Sequence, residues 1–154
     1  MKVCKSLNWL NFEGGFVPHN KRNEKNGYSS SIDSFADCIY GKKIPITEYI
    51  NKIKASFAVF NMPAVVSCHG WKLAEYLALG KAIISLPLVN DLPEPLIHGV
   101  NIHFVENNKE SIVAALEKLH TDTEYRKKLE KGAREYWERW GTPESVIRQI
   151  ISNF

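Results

Sequence analysis

The chain has 154 residues, 44% of them hydrophobic and 24% charged, with a net charge of +3; this is the size and balance of one globular domain with a real core. That charge is too small for a nucleic-acid groove, and the basic residues Lys127, Lys128 and Lys131 alternate with acids as on a solvated helix face. No apolar run approaches the ~18 residues of a membrane span, and Met1 to Leu10 lacks the apolar core of a signal peptide.

Cys4, Cys38 and Cys68 are odd in number and far apart, which fits reduced thiols in the cytoplasm. The expected location is therefore cytoplasmic, with peripheral association at a membrane surface compatible with it. No Cys or His pair has zinc-site spacing, and the adjacent Cys68 and His69 would need distant partners, so no metal is expected.

In chain order, Met1 to Leu10 reads as a short helix and Phe12 to Val17 as a strand-like stretch containing Gly14 and Gly15. His19 to Asp37 is rich in Asn, Ser and Lys and reads as a long loop, a functional excursion or a segment lacking its structural context. Signals become regular after Pro45. Thr47 is placed to cap a helix carrying Tyr49, Ile50 and Ile53, and Phe57 to Phe60 follows as a buried strand.

Trp71 to Leu79 predicts a helix, with Gly80 suited to the left-handed position past its end. Ala82 to Leu86 and Ile102 to Val105 are two more short strands. Asn108 caps a helix with Ile112, Leu116 and Leu119 at core spacing. Thr121 and Glu124 form a capping-box pattern before a longer helix through Tyr125, Leu129, Tyr136 and Trp140. Thr142 and Pro143 open a last helix with Val146, Ile147, Ile150 and Ile151 as its apolar stripe. Short apolar strands alternating with helices predict an α/β, Rossmann-like, three-layer parallel sheet in a single domain, complete or incomplete, with a helical C-terminal tail. Residues 1–45 form an irregular N-terminal segment of that domain or a truncated edge, and 46–154 the domain proper.

The most informative stretch is Ser67 to Val105. In an open parallel sheet, ligands bind at the carboxyl ends of strands, where helix N-termini also point. Gly70 enters the Trp71 helix there, and a glycine lets an anion approach the free N–H groups closely. Lys72 in the first turn opposes the helix dipole, a conflict that a bound diphosphate removes; the alternative is an ordinary exposed lysine. Glu75 lies about 7 Å further along the axis at 1.5 Å per residue, roughly one sugar ring from such a phosphate. A carboxylate there can accept from both hydroxyls of a ribose, or it is a structural glutamate. In the Val89 to Pro95 loop, Asn90, Asp91 and Glu94 either face the same ligand or simply form turns. No phosphate-binding P-loop, GxGxxG or GxSxG pattern occurs.

From about Ile46 to Phe154 the chain resembles the C-terminal half of a GT-B glycosyltransferase of the group-one (family four) type. Gly70, Glu75, Gly80 and Lys81 match in register, and Leu73 and Ala78 fit the family's helix. Asn90-Asp91-Leu92-Pro93-Glu94 echoes the family's Gly-Gly-x-Pro-Glu loop, and Gly99-Val100-Asn101 its Gly-Val-Asn. Thr121 to Arg134 resembles its tail.

The resemblance implies a nucleotide-sugar donor, carrying UDP or GDP, and hexosyl transfer of the kind used in polysaccharide biosynthesis. Glu75 would hold the ribose, the backbone at Gly70 and Trp71 the diphosphate, and Asp91 and Glu94 would line the site. His69 and Lys72 are the catalytic candidates, and no cofactor beyond the donor is implied. Two features depart from the family. Ser67 stands where its first glutamate does, and its Arg–Lys pair finds only a poorly matching counterpart in Lys21 and Arg22. The acceptor half would come from a missing N-terminal domain or a partner chain, with the Tyr136 to Trp140 tail crossing back to it. A homodimer is compatible with this. The competing reading is a non-catalytic module, truncated or used for interaction, that keeps the Rossmann-like fold; a regulatory α/β domain without nucleotide is a third.

Overall fold

The computed structural model describes residues 2–15, 36, 38, 39, 43–63 and 68–152, in two units, 1–49 and 50–154. In the first unit, α1 (Lys2–Lys5) is a single turn with Cys4 buried. It ends well before Leu10 because the Ser6 hydroxyl donates to the Val3 carbonyl and closes the turn. Asn11 to Gly15 carries no strand; Gly14 sits at φ 151°, a conformation that breaks an extended run. Phe16, Val17, Lys21, Arg22 and most of the predicted polar loop lie outside the described residues.

Helix α2 (Ile46–Ala55) starts before Thr47. The Pro45 carbonyl accepts from the Tyr49 N–H at 2.9 Å, so Pro45 makes the first helical bond and Thr47 falls inside the first turn.

The second unit is built on a parallel sheet in the order β1 (Val59–Asn61), β2 (Ile83–Ser85), β3 (His103–Phe104). Val59 pairs with Ile83 and Asn61 with Ser85, and Ser85 in turn with Phe104. The strands are shorter than predicted, and β1 begins two residues later than Phe57. Central β2 is wholly buried, since neighbours flank both its edges and helices lie on both sides of the sheet. That is why its sequence reads as a continuous apolar run rather than an alternation. The α/β, Rossmann-like reading therefore holds.

Helix α3 (Trp71–Ala78) connects β1 to β2. Gly80 follows at φ 59°, the left-handed residue that ends it. The chain then runs through α4 (Lys109–Thr121), α5 (Thr123–Trp140) and α6 (Pro143–Ser152). Asn108 caps α4 as predicted, its side chain accepting from Ser111 N at 2.8 Å. The predicted Thr121–Glu124 box does not form. Asp122 caps α5 instead, accepting from Tyr125 N at 2.9 Å, while Thr121 still belongs to α4 and donates to the Glu117 carbonyl. With two capping residues side by side, the carboxylate takes the position.

Helix α5 packs on α3 and reaches the sheet. It buries Leu129, Ala133 and Tyr136, and Arg134 donates to the last carbonyl of α3, that of Ala78, at 2.6 Å. Tyr136 is buried within this unit, and the exposed apolar surface lies one helix later. In α6, Thr142 and Pro143 begin the helix as predicted, with the Thr142 side chain accepting from Ser145 N. Its stripe is not core, however. Val146, Ile147, Ile150 and Ile151 are 43–67% exposed, and Ser145 is the buried residue. Periodicity decides which residues share a face, and a neighbouring element decides whether that face is covered.

Candidate functional site

The connections leaving β1 and β2 both emerge at the carboxyl edge of the sheet. Under them, Asn61 and Ser85, the last residues of the two strands, are 2% and 0% exposed. Asn61 Nδ2 donates to Ser85 Oγ at 2.9 Å, and that hydroxyl donates to the Leu86 carbonyl at 2.7 Å. This buried polar pair closes the edge of the core beneath the site. Sequence reading passed over it, although the signal is present: each apolar run, Val59-Phe60 and Ile83-Ile84, ends in a residue that hydrogen-bonds.

Ser67 lies outside the described residues. From Cys68 the chain turns into α3, and Gly70 occupies the N-cap position in an extended conformation (φ −75°, ψ 151°), where, as a glycine, it has no side chain to cap the helix. Among the described residues, a Cβ at Gly70 would meet nothing within 4 Å. Leu73, Tyr76 and Leu77 anchor one face of α3 in the core. Trp71 and Glu75, four residues apart, and Lys72, three before Glu75, share the other face. Trp71 is 90% exposed, Lys72 is exposed and Glu75 is half-buried.

One contact joins this helix entry to the loop after β2: His69 Nε2 donates to the Asn90 carbonyl at 3.0 Å. Along that loop the side chains of Asp91 and Glu94 are exposed. Its far end is tied as well, because Tyr136 Oη of α5 donates to the Glu94 carbonyl at 2.6 Å. Of the residues singled out in the sequence, the structure thus sets His69, Gly70, Trp71, Lys72 and Glu75 on one helix entry. Asp91 and Glu94 lie on the adjoining loop. Tyr136 is the residue that sequence reading missed here, its pattern placing it only in core and tail.

Lys81, matched to the family's Gly-Lys, has a structural task. It is 8% exposed, and its ammonium donates to the carbonyls of Ser56 at 2.5 Å and Lys54 at 3.2 Å. It therefore closes the C-terminal end of α2, and burial pushes its pKa down.

Beyond the loop, Gly99 at φ 75° makes a turn that leads back through Ile102 to β3. The Phe104 N–H donates to His98 Nδ1 at 3.0 Å, and His103 Nδ1 is 2.8 Å from Tyr125 Oη. The two imidazoles lie 4.6 Å apart. Burial, then the neighbouring His98 and the Lys118 cation, hold the pKa of His103 down at about 4.

A cleft of about 540 Å³ opens on the same carboxyl edge over β2 and β3, lined by Pro87, Phe104, Glu106, Asn108 and Glu110 among others. None of the predicted site residues lines it. Among the described residues no group of three His, Cys, Asp or Glu side chains is placed to hold a metal ion. No helix among them is long and apolar enough to cross a membrane.

No curated protein matches this chain. A family profile does: that of the glycosyl transferases group 1 matches residues 36–136. The matched span takes in the whole sheet, the α3 entry, the tied loop and α5 as far as Tyr136. The chain belongs to the group 1 glycosyl transferases.

Proposed function

We propose that this chain supplies the nucleotide-sugar half of a glycosyl-transfer site. The observation that carries the reading is the entry of α3: a helix N-terminus at the carboxyl edge of a parallel sheet whose N-cap residue, Gly70, has no side chain to cap it and, among the described residues, no neighbour where a Cβ would stand. There the N–H groups after Gly70 and the helix dipole favour a diphosphate. Lys72, in the same turn, adds a positive charge beside it. Glu75, on the same face and half-buried, accepts from the ribose hydroxyls. Asp91 and Glu94 border the sugar.

Transfer then proceeds as the bond between the sugar carbon and the diphosphate oxygen breaks, an acceptor hydroxyl oxygen held by the other half bonds to that sugar carbon, and the hydroxyl's proton leaves with the diphosphate. Negative charge grows on the leaving oxygen, and the helix N-terminus and Lys72 stabilise it. The acceptor half comes from an N-terminal domain or from a partner chain. The reading requires no cofactor beyond the donor.

Calorimetric titration of UDP, GDP and ADP into the chain and its Glu75→Ala variant tests this. The expected result is selective binding of one diphosphate, weakened about tenfold or more in the variant, as for loss of hydrogen bonds to a charged group. A folded chain that binds none of the three overturns the reading and leaves a non-catalytic module with the family fold. Ser67, at the place of the family's first glutamate, is the feature that favours that second reading.

A further inference from the structure

The segment from Asn90 to Glu94 is held at both ends, and in each case by its backbone. His69 Nε2 takes the Asn90 carbonyl from the α3 side, and Tyr136 Oη takes the Glu94 carbonyl from the α5 side. The two donors are 67 positions apart in sequence (136 minus 69) and belong to different elements. Between the two anchors, Pro93 restricts the path further. Because only carbonyls are engaged, the straps consume none of the side-chain chemistry of Asp91 or Glu94, both of which are exposed.

We propose that His69 and Tyr136 are positioning residues, a pair of straps that holds the Asn90–Glu94 segment in its ligand-ready shape before a donor arrives. This rests on the donor-site reading above and extends it to how the sugar side of the site is organised. A free five-residue segment would lose conformational freedom on binding; a segment already ordered spares the complex that cost.

The geometry also narrows what His69 does. Its Nε2 proton is committed to Asn90, and both the neutral tautomer that carries that proton and the imidazolium can donate it. The strap is this single N–H···O contact. Its requirement is an N–H donor at that place, which distinguishes it from a proton-transferring histidine.

The test uses the full chain with His69→Phe, His69→Gln and Tyr136→Phe. Phe keeps the ring volume and removes the donor, whereas the Gln amide retains a donor. Hydrogen–deuterium exchange is followed over residues 88–98, and affinities are measured for UDP, GDP, UDP-glucose and GDP-mannose. In His69→Phe and Tyr136→Phe, exchange over 88–98 is expected to rise about three- to tenfold, the effect of one lost hydrogen bond. Affinity for the preferred nucleotide sugar falls by a similar factor, and His69→Gln stays close to wild type in both. If wild type binds a nucleotide sugar and the two Phe variants bind it equally well, the strap proposal is overturned, whatever the loop exchange shows. Failure of His69→Gln to rescue overturns the role given to His69. Wild type binding none of the four ligands instead overturns the donor-site reading on which the proposal rests.

Discussion

Gly132 of α5 lies directly against the backbone carbonyl of Val100, with no room for a side chain between them. The close approach lets the helix run beside the turn that leads into β3. Gly132→Ala is expected to destabilise the chain by about 1–3 kcal/mol, although alanine favours helix by ~1 kcal/mol. Urea denaturation monitored by circular dichroism checks this, and an unchanged or raised midpoint would contradict the packing described.

Gly80 combines two constraints. Its φ of 59° is a conformation that side chains rarely adopt, and a Cβ there would come within 3.2 Å of Arg134 Cβ and 3.3 Å of the Glu130 carbonyl oxygen. Gly80→Ala should therefore lower stability by roughly 1–2 kcal/mol, a melting-temperature drop of about 3–6 °C for a chain of this size.

Replacing Lys81 by Met keeps most of the side-chain volume but leaves the Lys54 and Ser56 carbonyls without their donor. The cost expected is about 1–3 kcal/mol, the range for charge-assisted hydrogen bonds. Exchange should quicken first at the C-terminal end of α2. If α2 instead exchanges as in wild type, Lys81 is not what holds its end.

His103 makes stability depend on pH in a stated direction. Its folded-state pKa, about 4, lies below the ordinary value of about 6.5. Between those values the unfolded chain takes up a proton that the folded chain refuses. The stabilisation is therefore complete above about pH 6.5 and is lost as pH falls toward 4. Solvent screening of a half-buried ring brings the effect to on the order of 1–2 kcal/mol. Denaturation midpoints measured at pH 7, 6, 5 and 4.5 should fall less steeply in His103→Gln than in wild type. Equal slopes would remove His103 as the source.

What could be read in the sequence was local. Gly80, Asn108 and the Thr142–Pro143 pair act on their own neighbours, and each does what its chemistry predicts. Burial of the α6 stripe was not local, because the pattern of Val146, Ile147, Ile150 and Ile151 carries no information about what lies opposite. The adjacent Thr121 and Asp122 offered two caps where a helix takes one. At the site, the α3 entry was visible in Gly70 and Glu75. The straps were not: His69 meets Asn90 across 21 residues and Tyr136 meets Glu94 across 42. Lys81 closes a helix that ended 26 residues before it (81 minus 55), a relation that no spacing rule announces.

Asp122 is at once the last residue capping α4, its N–H bonded to the Lys118 carbonyl, and the first capping α5. The two helices thus share a joint with no slack. One residue inserted there would rotate α5 by about 100°. Tyr125, Gly132 and Tyr136 would then leave His103, Val100 and Glu94 together. Length at this joint is accordingly a condition of these long-range contacts: tags, permuted termini and loop grafts belong elsewhere in the chain, and deletion of even one residue here should unfasten a loop far away in sequence.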